Sequence, residues 1–109
     1  MGMDLKPVRP TKNAPRYPMN SSYEPERGKV IWGRYNWGGW GTLVDKLQSW
    51  GVSTEHFAGS NDGQLIPAIK CREVADAIEK HIDEFDDEER KYLKQDIELW
   101  RNCGGYKQY

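Results

Sequence analysis

A small single-domain helical bundle, mainly α, is the fold this 109-residue sequence predicts. It has three main helices, one short helix, an extended Pro-rich N-terminal arm and one candidate short strand. Three observations carry that reading. Apolar residues recur at helical spacing in three segments beyond residue 38. Five of the six prolines crowd into residues 4–28, where fixed φ and missing donors exclude helix and central strand. Glycines and a Ser-Asn-Asp-Gly run punctuate the remainder. The arm takes residues 1–28 and the helical domain residues 29–109.

Along the arm, Pro7, Pro10, Pro15, Pro18 and Pro25 predict extended backbone, with Tyr17, Met19 and Tyr23 as apolar anchors onto the domain. Lys29 to Tyr35 is the candidate strand, since Val30 and Trp32 favour extended conformation. The first helix spans 39–50: Trp40, Leu43, Val44, Leu47 and Trp50 form one apolar stripe, and Gly51 stands where a left-handed residue would stop it. Ser53 caps the short helix through Phe57, ending near Gly59. After the Ser60–Gly63 turn, Pro67 opens a helix to about Phe85, with Ile69, Val74, Ala77, Ile78, Ile82 and Phe85 as its stripe and Cys71 and Ala75 beside it. The last helix begins near Asp86 or Asp87, with acids in its first turn as the helix dipole prefers. Tyr92, Leu93, Ile97 and Trp100 carry it to Arg101, and Gly104 and Gly105 end it.

Composition narrows the function classes. Net charge is −1, which makes no whole-chain electrostatic case for nucleic acid or membrane, so direct DNA binding is not expected. Residues 1–30 nevertheless carry six Lys/Arg against three Asp/Glu, while the acidic excess falls on the helices. The two cysteines, Cys71 and Cys103, lack metal-ligand or CxxC spacing and read as reduced, partly buried thiols. No apolar run reaches the roughly 18 residues of a transmembrane helix, and the polar N-terminus has no signal core, so cytoplasmic residence is expected.

The densest chemistry lies in Ile31–Gly41, where three tryptophans, a tyrosine, an arginine and four glycines occur within eleven residues. Trp32, Arg34, Tyr35 and Trp37 are the candidate ligand or partner contacts, with Asn61 and Asp62 of the NDG loop as neighbours. Aromatic faces would stack a base, and Arg34 with Lys29 or Arg27 would meet phosphate. The same residue types anchor protein interfaces. A core assignment competes: Trp40 belongs to the helix stripe, and Trp37 beside it suits a core plug next to a turn.

Other candidate centres fail on spacing. Aligning Gly63 with the turn glycine of a calcium loop leaves Ala58 at the first ligand position and Ile69 where a bidentate Glu is required. His56 and His81 stand outside any zinc pattern. Cys71 precedes Arg72, but nothing in sequence sets a histidine beside it. No cofactor or metal is expected. A non-catalytic binder leads; a structural or oligomerisation domain without ligand, and a small enzyme using Cys71 or His56, are the alternatives.

Four motifs occur in order: Met1-Gly2-Met3-Asp4, Asn36-Trp37-Gly38-Gly39-Trp40, Asn61-Asp62-Gly63 and Cys103-Gly104-Gly105-Tyr106. Together they resemble a group of small uncharacterised proteins from bacteriophages and prophage-bearing bacteria, which open MGMD and close with a GGF or GGY element. Many longer members insert a CxxC-bearing middle that is absent here. The resemblance brings no activity, so no residue role transfers. It implies a phage-linked accessory protein of the host cytoplasm that binds a host protein, a defence complex or a signalling nucleotide. In the host-protein version, Asp76, Glu79, Asp83, Asp86, Asp87 and Glu88 would mimic nucleic acid.

Overall fold

Met3 and Leu5 alternate with Asp4 and Lys6, and this short period-2 pattern becomes the first strand, β1 (Gly2–Pro7). In a computed structural model, which describes residues 2–22, 24–57 and 62–109, β1 is followed by β2 (Gly33–Asn36), α1 (Trp37–Ser49), β3 (Leu65–Ile66), α2 (Ala68–Lys80), α3 (Asp87–Asn102) and β4 (Tyr106–Gln108). Short 3-10 turns occupy Glu24–Glu26 and Ile82–Glu84. Among the described residues the strands make one four-stranded antiparallel sheet in the order β2-β1-β4-β3.

The fold is therefore α+β, which corrects the mainly helical expectation. The sheet escaped the sequence because its strands are short and their partners remote: β1 pairs with β4, about a hundred residues later. The prolines did not prevent it. Asp4 and Tyr109 exchange both backbone hydrogen bonds at 2.8 Å, and alternation from there leaves Pro7 at a non-bonded position toward β4. The first residues of the expected arm are thus a central strand.

The rest of the arm is tied down differently from the expectation. Val8, Arg9 and Thr11 donate backbone N–H groups to the carbonyls of Gly105, Cys103 and Asn102, at 2.9, 3.1 and 2.8 Å. Arg9 and Thr11 thereby satisfy carbonyls at the C-terminal end of α3. Gly104 is indispensable here, since a Cβ on it would meet the Arg9 carbonyl oxygen at 2.0 Å, with φ already at +67°. Ala14 is buried whereas Met19 is 74% exposed, so Met19 is not an anchor. Tyr17 is half-buried, and Tyr23 lies outside the described residues.

The helices cover one face of the sheet. Asn36 caps α1 by accepting from the Gly39 N–H at 2.6 Å, so the helix starts two residues earlier than expected. Gly51, with φ +80°, follows its C-terminus as read from sequence. The expected short helix after Ser53 is a turn, closed by Phe57 N–H to the Thr54 carbonyl at 2.9 Å; its end near Gly59 lies outside the described residues. Pro67 is the N-cap residue of α2 rather than its first helical residue, and α2 stops at Lys80, well short of Phe85. Its buried face is Cys71, Val74, Ala75 and Ile78, which leaves Ile69 72% exposed. Asp86 caps α3 by accepting from Glu89 N–H at 2.8 Å, and α3 turns Ile97, Leu99 and Trp100 inward while Tyr92 is 76% exposed. Between helices and sheet, Phe57 stacks on Trp40 at 5.1 Å and on Trp100 at 5.9 Å, and Trp100 meets Tyr106 edge-on at 4.9 Å. No helix among the described residues is long and apolar enough to cross a membrane.

Candidate functional site

The register fixes what the uncovered face of the sheet displays. Arg34 pairs with Asp4, and Asp4 bonds Tyr109, so these three form one row across the strands. Lys6 pairs with Lys107, and Lys107 with Leu65. Continuing the Leu5–Gly33 pairing by one residue brings Trp32 opposite Lys6 and completes a second row. The rings of Trp32 and Tyr109 come within 6.4 Å of each other over β1, and the Lys6 ammonium lies 6.0 Å from the Trp32 ring centre. Trp32 is 37% and Tyr109 42% exposed, so both residues keep part of their surface in solvent.

Beside this face runs a cleft of about 260 Å³, lined by Tyr17, Glu26, Lys29, Val30, Trp32 and Arg34. Its outer wall exists because the arm folds back: Arg16 bridges to Val30, and Tyr17 N–H donates to the Lys29 carbonyl at 2.9 Å. Arg34 touches Asp4 only loosely, Nε to Oδ1 3.9 Å, with its side chain 71% exposed. A guanidinium in that state can exchange its partner for a phosphate at little cost.

Trp32, Arg34 and Lys29 therefore line one cleft. Arg27 does not join them; its Nε donates to the Ser21 carbonyl at 2.9 Å. Tyr35 does not join them either. Alternation along β2 turns it to the covered face, where its hydroxyl donates to Asp96 Oδ2 and accepts from Trp100 Nε1, both at 3.1 Å. It is partly buried and packs against the core, on the opposite side of the sheet from Arg34. Trp37 opens α1 with its side chain 39% exposed and lines none of the cleft. Asn61 lies outside the described residues. Asp62 is exposed, its N–H bonded to Gln64 Oε1 at 3.0 Å, and the loop continues into Gly63, where a Cβ would stand 3.6 Å from the Tyr109 ring. The residues missed by sequence reasoning are Lys6, Lys107, Tyr109, Tyr17 and Glu26. The alternation in Asp4-Leu5-Lys6 was the available signal; its pairing partners were not.

The neighbouring Cys103 sulfur, then burial, push the Cys71 thiol up, away from a reactive thiolate. His81 stacks on Trp50 at 4.4 Å and bonds Glu84, and His56 lies near Glu55. Among the described residues no cluster of His, Cys, Asp and Glu could hold a metal ion. Four of the six acids proposed as a nucleic-acid mimic already have intramolecular roles: Asp76 and Glu79 pair with Arg101, Asp87 pairs with Arg90, and Asp86 caps α3.

Beneath the face, burial pushes the Asp96 carboxyl up to about 6 from its ordinary 3.8, although the Tyr35 hydroxyl works in the other direction. The sign follows from linkage. A carboxyl that holds its proton more tightly when folded contributes most below its unfolded pKa, and that contribution is lost as pH rises from about 4 through 6. Asp96→Asn keeps an oxygen acceptor for Tyr35 and removes the buried charge. It should be more stable than the parent by about 1–3 kcal/mol at pH 7–8, with the gap closing near pH 3–4, as urea titrations at each pH would measure. A gap independent of pH would contradict this placement of Asp96.

Comparison with protein families, curated proteins and solved structures finds no match to this chain.

Proposed function

We propose that this chain is a non-catalytic binding protein that takes a nucleotide-class ligand at the edge of its uncovered sheet face. The base stacks on Trp32, the phosphate is met by Arg34 and Lys29, and Glu26 accepts a hydrogen bond from a ribose hydroxyl or a base amino group. The observation that supports this is the cleft itself: an exposed tryptophan, two exposed cations and one carboxylate around a hollow of about 260 Å³. That volume is below the usual range for drug-sized ligands and suits a ring of base size. Sequestering a nucleotide is also one of the roles that fits a phage-linked accessory protein, the class its four motifs resemble.

Titrating adenosine and guanosine mono- and triphosphates while following tryptophan fluorescence tests the reading. Quenching that saturates is expected, and Trp32→Ala should weaken binding about five- to 150-fold, the range for loss of one stacked base. Arg34→Ala should weaken triphosphate more than monophosphate. Both variants should melt within a few degrees of the parent, because both side chains are exposed. Absence of saturable binding by all four nucleotides would defeat the proposal.

A further inference from the structure

We infer that the natural ligand is a single strand of nucleic acid laid across the sheet, of which the nucleotide in the cleft is one unit. This rests on the nucleotide-binding reading above and extends it from the cleft to the whole uncovered face.

Two features of that face have no use for a lone nucleotide. Lys6 and Lys107 are directly paired across β1 and β4 and point to the same, uncovered side. Like charges opposite one another weaken a sheet, and among the described residues neither lysine has a carboxylate partner. An anion bridging the two ammonium groups removes that repulsion. The second feature is the second ring: Tyr109 stands on the far side of β1 from Trp32, its ring centre 6.4 Å away, and the residue is 42% exposed. One nucleotide needs one stacking surface; two partly exposed rings beside a row of cations match consecutive units of a chain.

The layout also gives a path. Lys29 and Arg34 mark the cleft at the β2 edge, Lys6 and Lys107 lie on the two central strands, and Leu65 marks the β3 edge. With strands about 4.8 Å apart, the basic groups extend across roughly 10 Å of sheet, perpendicular to the strands. Aromatic platforms beside a cationic track are how sequence-tolerant single-strand binders divide the work, since every base has a face to stack and every unit a phosphate. The carboxylates on this route are Asp4, already beside Arg34, and Glu26 in the cleft. A net charge of −1 for the chain therefore coexists with a positive strip on this one face.

Fluorescence anisotropy with labelled oligothymidylate and oligouridylate of about twelve nucleotides tests this, with thymidine and uridine monophosphates as competitors. Affinity should rise at least tenfold from monomer to oligomer. Three or four phosphate contacts should give a slope of log K against log salt of about −2 to −3. Lys107→Ala should weaken the oligomer severalfold and make that slope shallower by about 0.7, while monophosphate binding in the cleft is kept and the melting temperature does not fall, since the repulsion from Lys6 is relieved. The deoxy and ribo arms identify which strand is preferred. Oligomer binding no tighter than monomer, with the monomer still bound, overturns the strand and leaves the nucleotide reading standing. No binding of either overturns the strand, and the nucleotide reading then stands or falls on the adenosine and guanosine titrations. Polyglutamate competing as well as the oligomers would also overturn it, because the face would then be a general anion surface.

Discussion

Removing residues 1–7 abolishes the cooperative unfolding transition. Those residues hold the central strand β1, and their loss separates β2 from β4. Met3 and Leu5 are fully buried, and each such side chain is worth about 1.5–3 kcal/mol. The severed backbone pairing on both edges adds to that loss. The sum approaches the whole stability of a domain this size, about 5–15 kcal/mol. Circular dichroism melts of the truncated chain should show a broad, shallow loss of signal. A helical bundle with a loose arm would instead keep a sharp transition within a few degrees of the parent, and that outcome would refute the sheet.

Trp100→Ala should cost about 3–5 kcal/mol, the usual loss for a large aromatic cut from a core. Trp100 is 1% exposed, stacked on Phe57, edge-on to Tyr106, and bonded through Nε1 to the Tyr35 hydroxyl. Its removal opens a cavity and takes a donor from a partly buried hydrogen-bond chain that ends at Asp96. For a domain of about a hundred residues the melting temperature should fall by about 15–30 °C. Trp100→Phe keeps most of the ring contact and should lose less. Equal losses for Trp100→Ala and Trp32→Ala would mean that the two tryptophans have been assigned to the wrong layers.

The helices were largely legible. Trp40, Leu43 and Leu47 announce α1, Gly51 ends it, and the acids of Asp86–Glu89 announce α3, because each signal is local and repeats every turn. The sheet was not, because strands of two to six residues carry too few alternations to register, and their meaning depends on remote partners. The site divides along the same line. Composition could gather Trp32, Arg34 and Tyr35 into one candidate patch, but only the register of β2 sends Arg34 outward and Tyr35 inward. No count of charges reveals that Lys6 and Lys107 are neighbours.

The pairing of β1 with β4 also orders events in time. β1 leaves the ribosome before either of its partners: β2 follows about thirty residues later, and β4 only when Tyr106–Gln108 has emerged. Until then Met3 and Leu5 lack half of the sheet that encloses them, although α1 can already coil. Contacts that close a loop of about a hundred residues form slowly, after the local ones. The β1–β4 pairing is therefore the step that closes the sheet, with Tyr106–Gln108 as its latch.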